Sequence, residues 1–164
     1  MLCCACMQHL LAQSYYYTLD GERVDAKITE KSLSSFRVDD GSKKGVIIKS
    51  DQVENFVMQG DSMTLLKDVD IGSGPKSFYA KVEISGTIGF YSTYYRNSSD
   101  ETRYVYVLKK GDHYENIGLG KKWKELFNDN TDIYNQIKEL KPKDYYYSQE
   151  KLIELIKQYN ESSK

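Results

Sequence analysis

From residue 15 to residue 120 the apolar positions fall into short runs separated by Gly- and Asp-rich punctuation. Residues 15–19 and 22–28 flank Asp20-Gly21, a hairpin signal because both turn residues tolerate positive φ. Residues 35–38 and 46–49 flank Asp39-Asp40-Gly41, and residues 53–58 and 63–67 flank Gln59-Gly60-Asp61. Residues 78–85 and 88–95 meet at Gly86-Thr87, and residues 103–108 and 113–119 meet at Lys110-Gly111. Consecutive hairpins of this kind predict an antiparallel β-meander of about ten strands from Tyr15 to Leu119. A sheet that long curls into a barrel-like form or folds into two layers.

Beyond Gly120 the period changes. All 11 glycines lie between Gly21 and Gly120, and residues 121–164 have none. Trp123, Leu126 and Phe127 fit one face of a short helix, and Ile133, Tyr134, Ile137 and Leu140 fit one face of a second. Ser148 is placed to cap a third, with Leu152, Ile153, Leu155, Ile156 and Tyr159 on its apolar stripe. The expected fold is therefore α+β: the meander of residues 15–120, then about three C-terminal α-helices in residues 121–164 packed on it as one structural unit.

Composition narrows the functional classes. With 40% hydrophobic and 13% aromatic residues the chain can bury a core. Its 23 basic and 24 acidic residues give a net charge of −1, which excludes the basic footprint of a general nucleic-acid binder. No apolar run is long enough for a transmembrane helix. The polar face of the last predicted helix mixes Glu150, Lys151, Glu154 and Lys157, unlike the basic face of a membrane-surface helix.

The three cysteines, Cys3, Cys4 and Cys6, precede everything else. Residues 1–14 contain no Asp, Glu, Lys or Arg and end in Ala12-Gln13-Ser14. That small-x-small ending predicts signal-peptide cleavage between Ser14 and Tyr15, with the run from Leu2 to Ala12 as the apolar region. A positive stretch before that run is missing, and a buried first helix is the competing reading. The cysteines lack the paired spacing of a zinc site, and Met1-Leu2-Cys3-Cys4 does not supply a lipobox. The expectation is an exported protein of the periplasm, cell envelope or extracellular space, without cysteine once cleaved.

Catalytic signals are sparse. His113 is the one histidine beyond residue 14, beside Lys110, Gly111 and Asp112 at a predicted turn. That argues against thiol chemistry and a histidine-rich metal centre, so no cofactor, metal or catalytic residue is expected. Asp68-Val69-Asp70-Ile71-Gly72-Ser73-Gly74 resembles the opening of a calcium loop. It lacks an oxygen ligand at Gly72 and a distal Glu at Tyr79, so it reads as a Gly-rich connection whose ion binding stays open. Gly118-Leu119-Gly120-Lys121 fails as a phosphate loop, because Glu115 replaces the first glycine and Lys122 the magnesium-binding hydroxyl.

The 15 tyrosines are the unusual feature. On residues 103–108, Tyr104, Tyr106 and Leu108 share one strand face while Val105 and Val107 share the other. Most of the rings are expected in the core or across strands. The clusters Tyr91, Tyr94, Tyr95 and Tyr145, Tyr146, Tyr147 are the candidates for an aromatic surface that binds glycans or peptides.

A resemblance adds to this reading. The features are the ending Leu11-Ala12-Gln13, the Tyr-rich Asp-Gly hairpin, Phe78-Tyr79-Ala80-Lys81-Val82 and Ser85-Gly86-Thr87-Ile88-Gly89-Phe90-Tyr91. They continue in Phe127-Asn128-Asp129-Asn130 and the stretch from Leu152 to Tyr159-Asn160. Together they are similar to a loose group of exported proteins of the Bacteroidetes type with no assigned activity. The resemblance implies export, and Asp61-Ser62-Met63 resembles that group's short O-glycosylation motif, with Ser62 as acceptor. The leading expectation is a non-enzymatic envelope module that binds or scaffolds, its partner an envelope protein or a glycan. The alternative is a carboxylate-dependent hydrolase or glycan-active enzyme using Asp68, Asp70, Asp112 and Glu115. Two carboxylates about 5–10 Å apart across a cleft would favour the enzyme, and an exposed aromatic patch would favour binding.

Overall fold

The computed structural model describes residues 14–163. Eleven strands form two antiparallel sheets among them: β1 (Tyr15–Thr18), β2 (Arg23–Asp25), β3 (Lys27–Lys31), β4 (Ser35–Asp39), β5 (Val46–Lys49), β6 (Val53–Met58), β7 (Asp61–Asp70), β8 (Pro75–Ile84), β9 (Ile88–Arg96), β10 (Thr102–Lys110) and β11 (His113–Asn116). The large sheet has the order β11-β10-β9-β8-β7-β6-β1-β2, and the small one β3-β4-β5. The α+β class expected from the pattern is the observed one, with an open rather than a closed sheet.

All five expected hairpins form. The β6–β7 turn shows why the sequence was legible there: Met58 pairs directly with Asp61, and Gln59 (φ 54°) and Gly60 (φ 88°) both take the left-handed conformation that a two-residue hairpin needs. The single continuous meander does not form. Residues 22–28 are two strands broken at Ala26, so β2 ends the large sheet and β3 begins the small one. β1 then pairs on its other edge with β6. The detour is stabilised by burial: Ile28 and Phe36 of the small sheet pack on Phe56, Met63 and Tyr79 of the large one. Phe36 and Phe56 lie 4.3 Å apart by centroid, and Tyr79 stands edge-on to Phe56 at 4.9 Å.

The large sheet curls. Leu66 of β7, Phe78 and Ala80 of β8, and Val105 and Val107 of β10 share one buried cluster although two strands separate β7 from β10. Asn116 Nδ2 at the end of β11 donates to the Asp70 carbonyl of β7 (3.1 Å) and draws the two ends of the curl together.

On the other sheet face the helical segment covers β9 and β10. A 3₁₀ segment (Lys122–Phe127), α1 (Thr131–Glu139) and α2 (Glu150–Ser162) pack Trp123, Phe127, Ile137, Leu152 and Ile156 against Ile88, Phe90 and Leu108. The α2 stripe is the expected one: Leu152, Leu155, Ile156 and Tyr159 are buried and Ile153 packs beside them. The cap is not: Gln149 rather than Ser148 precedes the helix, and its side chain makes no capping bond. Two polar side chains belong to this core. Lys124 Nζ donates to the Lys138 and Leu140 carbonyls (3.0 and 2.9 Å), satisfying the C-terminal end of α1. Asn160 Nδ2 donates to the Ile88 carbonyl (2.9 Å) while its Oδ1 accepts from the Ile88 N–H (2.7 Å). No helix of the described residues is long and apolar enough to cross a membrane.

Candidate ligand-binding groove

Strand alternation puts Phe56, Met63, Tyr79, Lys81, Ser92, Phe90, Tyr106 and Leu108 on one face of the large sheet. The small sheet covers that face at β6–β8 and the helices cover it at β9–β10. Between the two covers a strip stays open, and it forms a groove of about 420 Å³, within the size range of small-molecule sites.

The sheet also splays here. β8 pairs with β9 only between Lys81–Ile84 and Phe90–Ser92. Upstream, the Tyr79 N–H donates to the Leu33 carbonyl of the β3–β4 turn (2.7 Å), and the Thr93 hydroxyl donates to the Tyr79 carbonyl (3.0 Å). The inserted turn brings Lys31, at the end of β3, to the groove wall, where its Nζ donates to Thr93 Oγ1 (3.3 Å).

An aromatic row runs from Lys31 toward the helices. The Lys31 ammonium lies 5.5 Å from the Tyr94 ring centroid, Tyr94 lies 6.1 Å from Tyr104, and Tyr104 lies 6.5 Å from Tyr106 with the rings parallel to within 9°. Tyr106 stacks on buried Phe90 at 6.0 Å, which anchors the row in the core. Tyr94 and Tyr104 remain 60% and 61% exposed. Alongside the row, Lys81 Nζ pairs with Asp61 (3.1 Å) and Glu83 (3.7 Å), and the Ser92 hydroxyl donates to Glu83 (2.6 Å). The hydrogen bond to Asp61 holds the Lys81 ammonium above the ordinary lysine value, against an opposing effect of burial. Burial pushes Lys31 the other way, below the ordinary value. Among the described residues Lys31 has no carboxylate partner.

Of the tyrosines singled out by sequence, Tyr94 lines the groove. Tyr91 and Tyr95 point to the opposite face and pack in the core of the curl, where burial pushes the Tyr91 phenol up. Tyr145 is 7% exposed and stands edge-on to Trp123 at 5.1 Å, so it is a core ring rather than a binding surface. Tyr146 and Tyr147 are exposed and edge-to-face at 5.7 Å, outside the groove; Gln149, which lines it, donates from Nε2 to the Tyr146 carbonyl (3.2 Å). Ser62 is exposed on β7 opposite Val57.

None of Asp68, Asp70, Asp112 and Glu115 lines the groove. Asp70 Oδ1 accepts from the Gly72 N–H (2.8 Å), closing the β7–β8 turn on itself, and Glu115 is bonded to His113 Nε2 (2.9 Å). Among the described residues no three His, Cys, Asp or Glu side chains are grouped to hold a metal ion. The cysteines and the leader residues 1–13 lie outside the described residues. Ser14 accepts hydrogen bonds from the Ala26 N–H at its carbonyl (3.0 Å) and from the Gln59 N–H at Oγ (3.3 Å), and Tyr15 opens β1.

Groove residues that sequence reasoning did not name as binding candidates include Lys31, Asp61, Lys81, Glu83, Tyr104 and Tyr106. A signal existed for four of them. Lys81 and Glu83 interrupt the apolar run of β8 at alternate positions, and Tyr104 and Tyr106 share a strand face. Comparison with protein-family models, with curated proteins and with solved structures finds no match.

Proposed function

We propose that the protein is a non-enzymatic binding module that holds a saccharide in the open strip between its two covering layers. The observation that carries this reading is the row Tyr94, Tyr104 and Tyr106 beside the Asp61–Lys81–Glu83–Ser92 network. Tyrosine rings offer apolar area to the C–H face of a pyranose, and the charged network supplies donors and acceptors for its hydroxyls. The floor strands β7 to β10 are interior in the strand order, and where β8 and β9 part the Leu33 carbonyl and the Thr93 hydroxyl take the Tyr79 backbone groups, which leaves a peptide little edge for strand addition there. Binding is favoured over hydrolysis because Asp61 and Glu83 are both engaged by one ammonium, and the other acidic candidates do not converge there. Export, and with it a place in the envelope, belongs to the same proposal and rests on residues 1–14.

Saccharide titrations followed by NMR chemical shifts test it. Resonances of β9 and β10 are expected to move, and Tyr104→Ala is expected to weaken binding about tenfold, the loss of roughly one aromatic contact. Tyr104 is largely exposed, so the variant keeps its fold. Shifts that map elsewhere, or undiminished binding by Tyr104→Ala, would overturn the reading.

A further inference from the structure

The groove carries two ammonium groups and two carboxylates, and they are unequally matched. Asp61 and Glu83 both pair with Lys81, and Glu83 also takes the Ser92 hydroxyl. Lys31 lines the same groove with only the Thr93 hydroxyl and the Tyr94 ring as partners among the described residues. Thr93 is itself 5% exposed and its hydroxyl proton is already given to the Tyr79 carbonyl, so it can only accept from Lys31. A half-buried cation therefore keeps unfilled donor capacity at one end of an aromatic row. A partly desolvated charge without a counter-ion is costly, and an anion that reaches it recovers that cost.

We propose that the ligand is an acidic sugar, a uronic acid laid along Tyr94 and Tyr104 with its carboxylate on the Lys31 ammonium. This rests on the saccharide reading and deepens it. Three features converge. A cation without a carboxylate partner among the described residues sits at the head of the row, so one sugar ring meeting Tyr94 places its substituent within reach of Lys31. The Asp61–Lys81–Glu83 network holds both groove carboxylates on one ammonium, so neither is paired with Lys31. The backbone around Lys31 is fixed, because the β3–β4 turn is tied to β8 through the Tyr79 N–H. Burial already lowers the Lys31 proton affinity, so the bound carboxylate is also expected to restore it.

The test compares uronic-acid oligosaccharides (oligogalacturonate, oligomannuronate and hyaluronan fragments) with their carboxyl-reduced counterparts, which differ only in the acid group. Calorimetric titration of the wild-type protein is expected to favour the acidic member of at least one pair by about tenfold or more, the worth of one charge-assisted contact. Lys31→Met should remove that preference, Lys31→Arg should retain most of it, and Tyr104→Ala should weaken both members alike. Trp123 fluorescence checks that each variant is folded. Equal binding of acidic and reduced sugars by the wild type would overturn the acidic-ligand inference and leave the saccharide reading standing. A preference that survives Lys31→Met would remove Lys31 as its source and overturn the inference in the same way. Binding of no member of any pair would overturn both.

Discussion

The contact between Asn160 and Gly86 offers a quantitative test of how α2 is fastened to the sheet. Asn160 replaces a strand partner for Ile88: its amide satisfies both the N–H and the C=O of that residue, at 2.7 and 2.9 Å. Asn160→Ala leaves two backbone groups without partners. Each costs about 1–3 kcal/mol when buried. A shallow opening lined by Gly86, Thr87 and Asn160 lets water approach, so the lower part of that range applies and the total is about 2–4 kcal/mol. Gly86 makes the arrangement possible. A Cβ there would lie 2.4 Å from Asn160 Nδ2, 2.5 Å from Cγ and 2.9 Å from Oδ1. Gly86→Ala must therefore displace the amide and break the same two hydrogen bonds, and at φ 159°, a conformation L side chains rarely adopt, no gain from a stiffer unfolded chain offsets the loss.

The two substitutions remove one interaction from opposite sides, so their costs overlap. In the double variant the methyl group introduced by Gly86→Ala enters the space the amide has left, and the total should exceed that of Asn160→Ala only by the backbone strain at φ 159°. The expected coupling is about 1.5–3 kcal/mol, against near-zero for independent sites. Urea denaturation of the four proteins measures it. Trp123, the only tryptophan in the chain and 0% exposed, reports the helical layer, and far-ultraviolet circular dichroism reports the sheet. Additivity within about 0.5 kcal/mol, or an unaltered midpoint for Gly86→Ala, would refute the reasoning.

Three other outcomes follow from the same packing. Asp129 accepts from Lys110 Nζ (2.8 Å) and from the Tyr159 hydroxyl (2.9 Å), and the Lys110 bond foremost holds its carboxyl below the ordinary value of 3.8. Its stabilisation is therefore present above pH 3.8 and lost as pH falls through the lower folded value. Asp129→Asn should cost about 1 kcal/mol at pH 7, a figure discounted for its exposure, and the gap to wild type should close below that pH in acid-titrated urea melts. Deleting residues 148–164 removes Leu152, Leu155, Ile156 and Tyr159 from the cover of Phe90 and Leu108; at about 1.5–3 kcal/mol per side chain against a usual 5–15, the remainder should lose its cooperative thermal transition. The His113 side chain is exposed and among the described residues bonded only to Glu115, so His113→Ala should shift stability by less than about 0.5 kcal/mol and leave sugar binding intact in the same titrations.

The parts of the fold that were legible in the sequence are those set by neighbours in the chain. Asp20-Gly21, Gln59-Gly60 and Lys110-Gly111 each mark a turn whose backbone preference is local, and the α2 stripe follows from helical spacing alone. Sheet membership is different. Ala26, where β2 gives way to β3, carries no turn signal, and the pairing of β1 with β6 is chosen by what the small sheet buries on Phe56 and Tyr79. The tyrosines divided for the same reason. Alternation assigns Tyr91 and Tyr94 to opposite faces, but whether a face is core or groove depends on which layer lies over it. Lys124 and Asn160 read as ordinary polar positions because their partners, Leu140 and Ile88, are set by docking of the helices.

The open strip has a physical origin in those two covers. The small sheet is three strands wide and the helical layer rests on β9 and β10, so together they span less than the face they share. Folding has no use for bare aromatic area at the remaining width. A chain selected only for stability would place small polar residues there, since an exposed tyrosine gains little burial energy. Here the strip instead holds Tyr94 and Tyr104, each more than half exposed, on strands β9 and β10, which pair with each other at these two positions. The two positions can be emptied without opening the core, and that separates what the site contributes to binding from what it contributes to stability. Tyr106, stacked on Phe90, is the point where the two meet: it is the one ring of the row whose loss should register in a melting curve as well as in a titration.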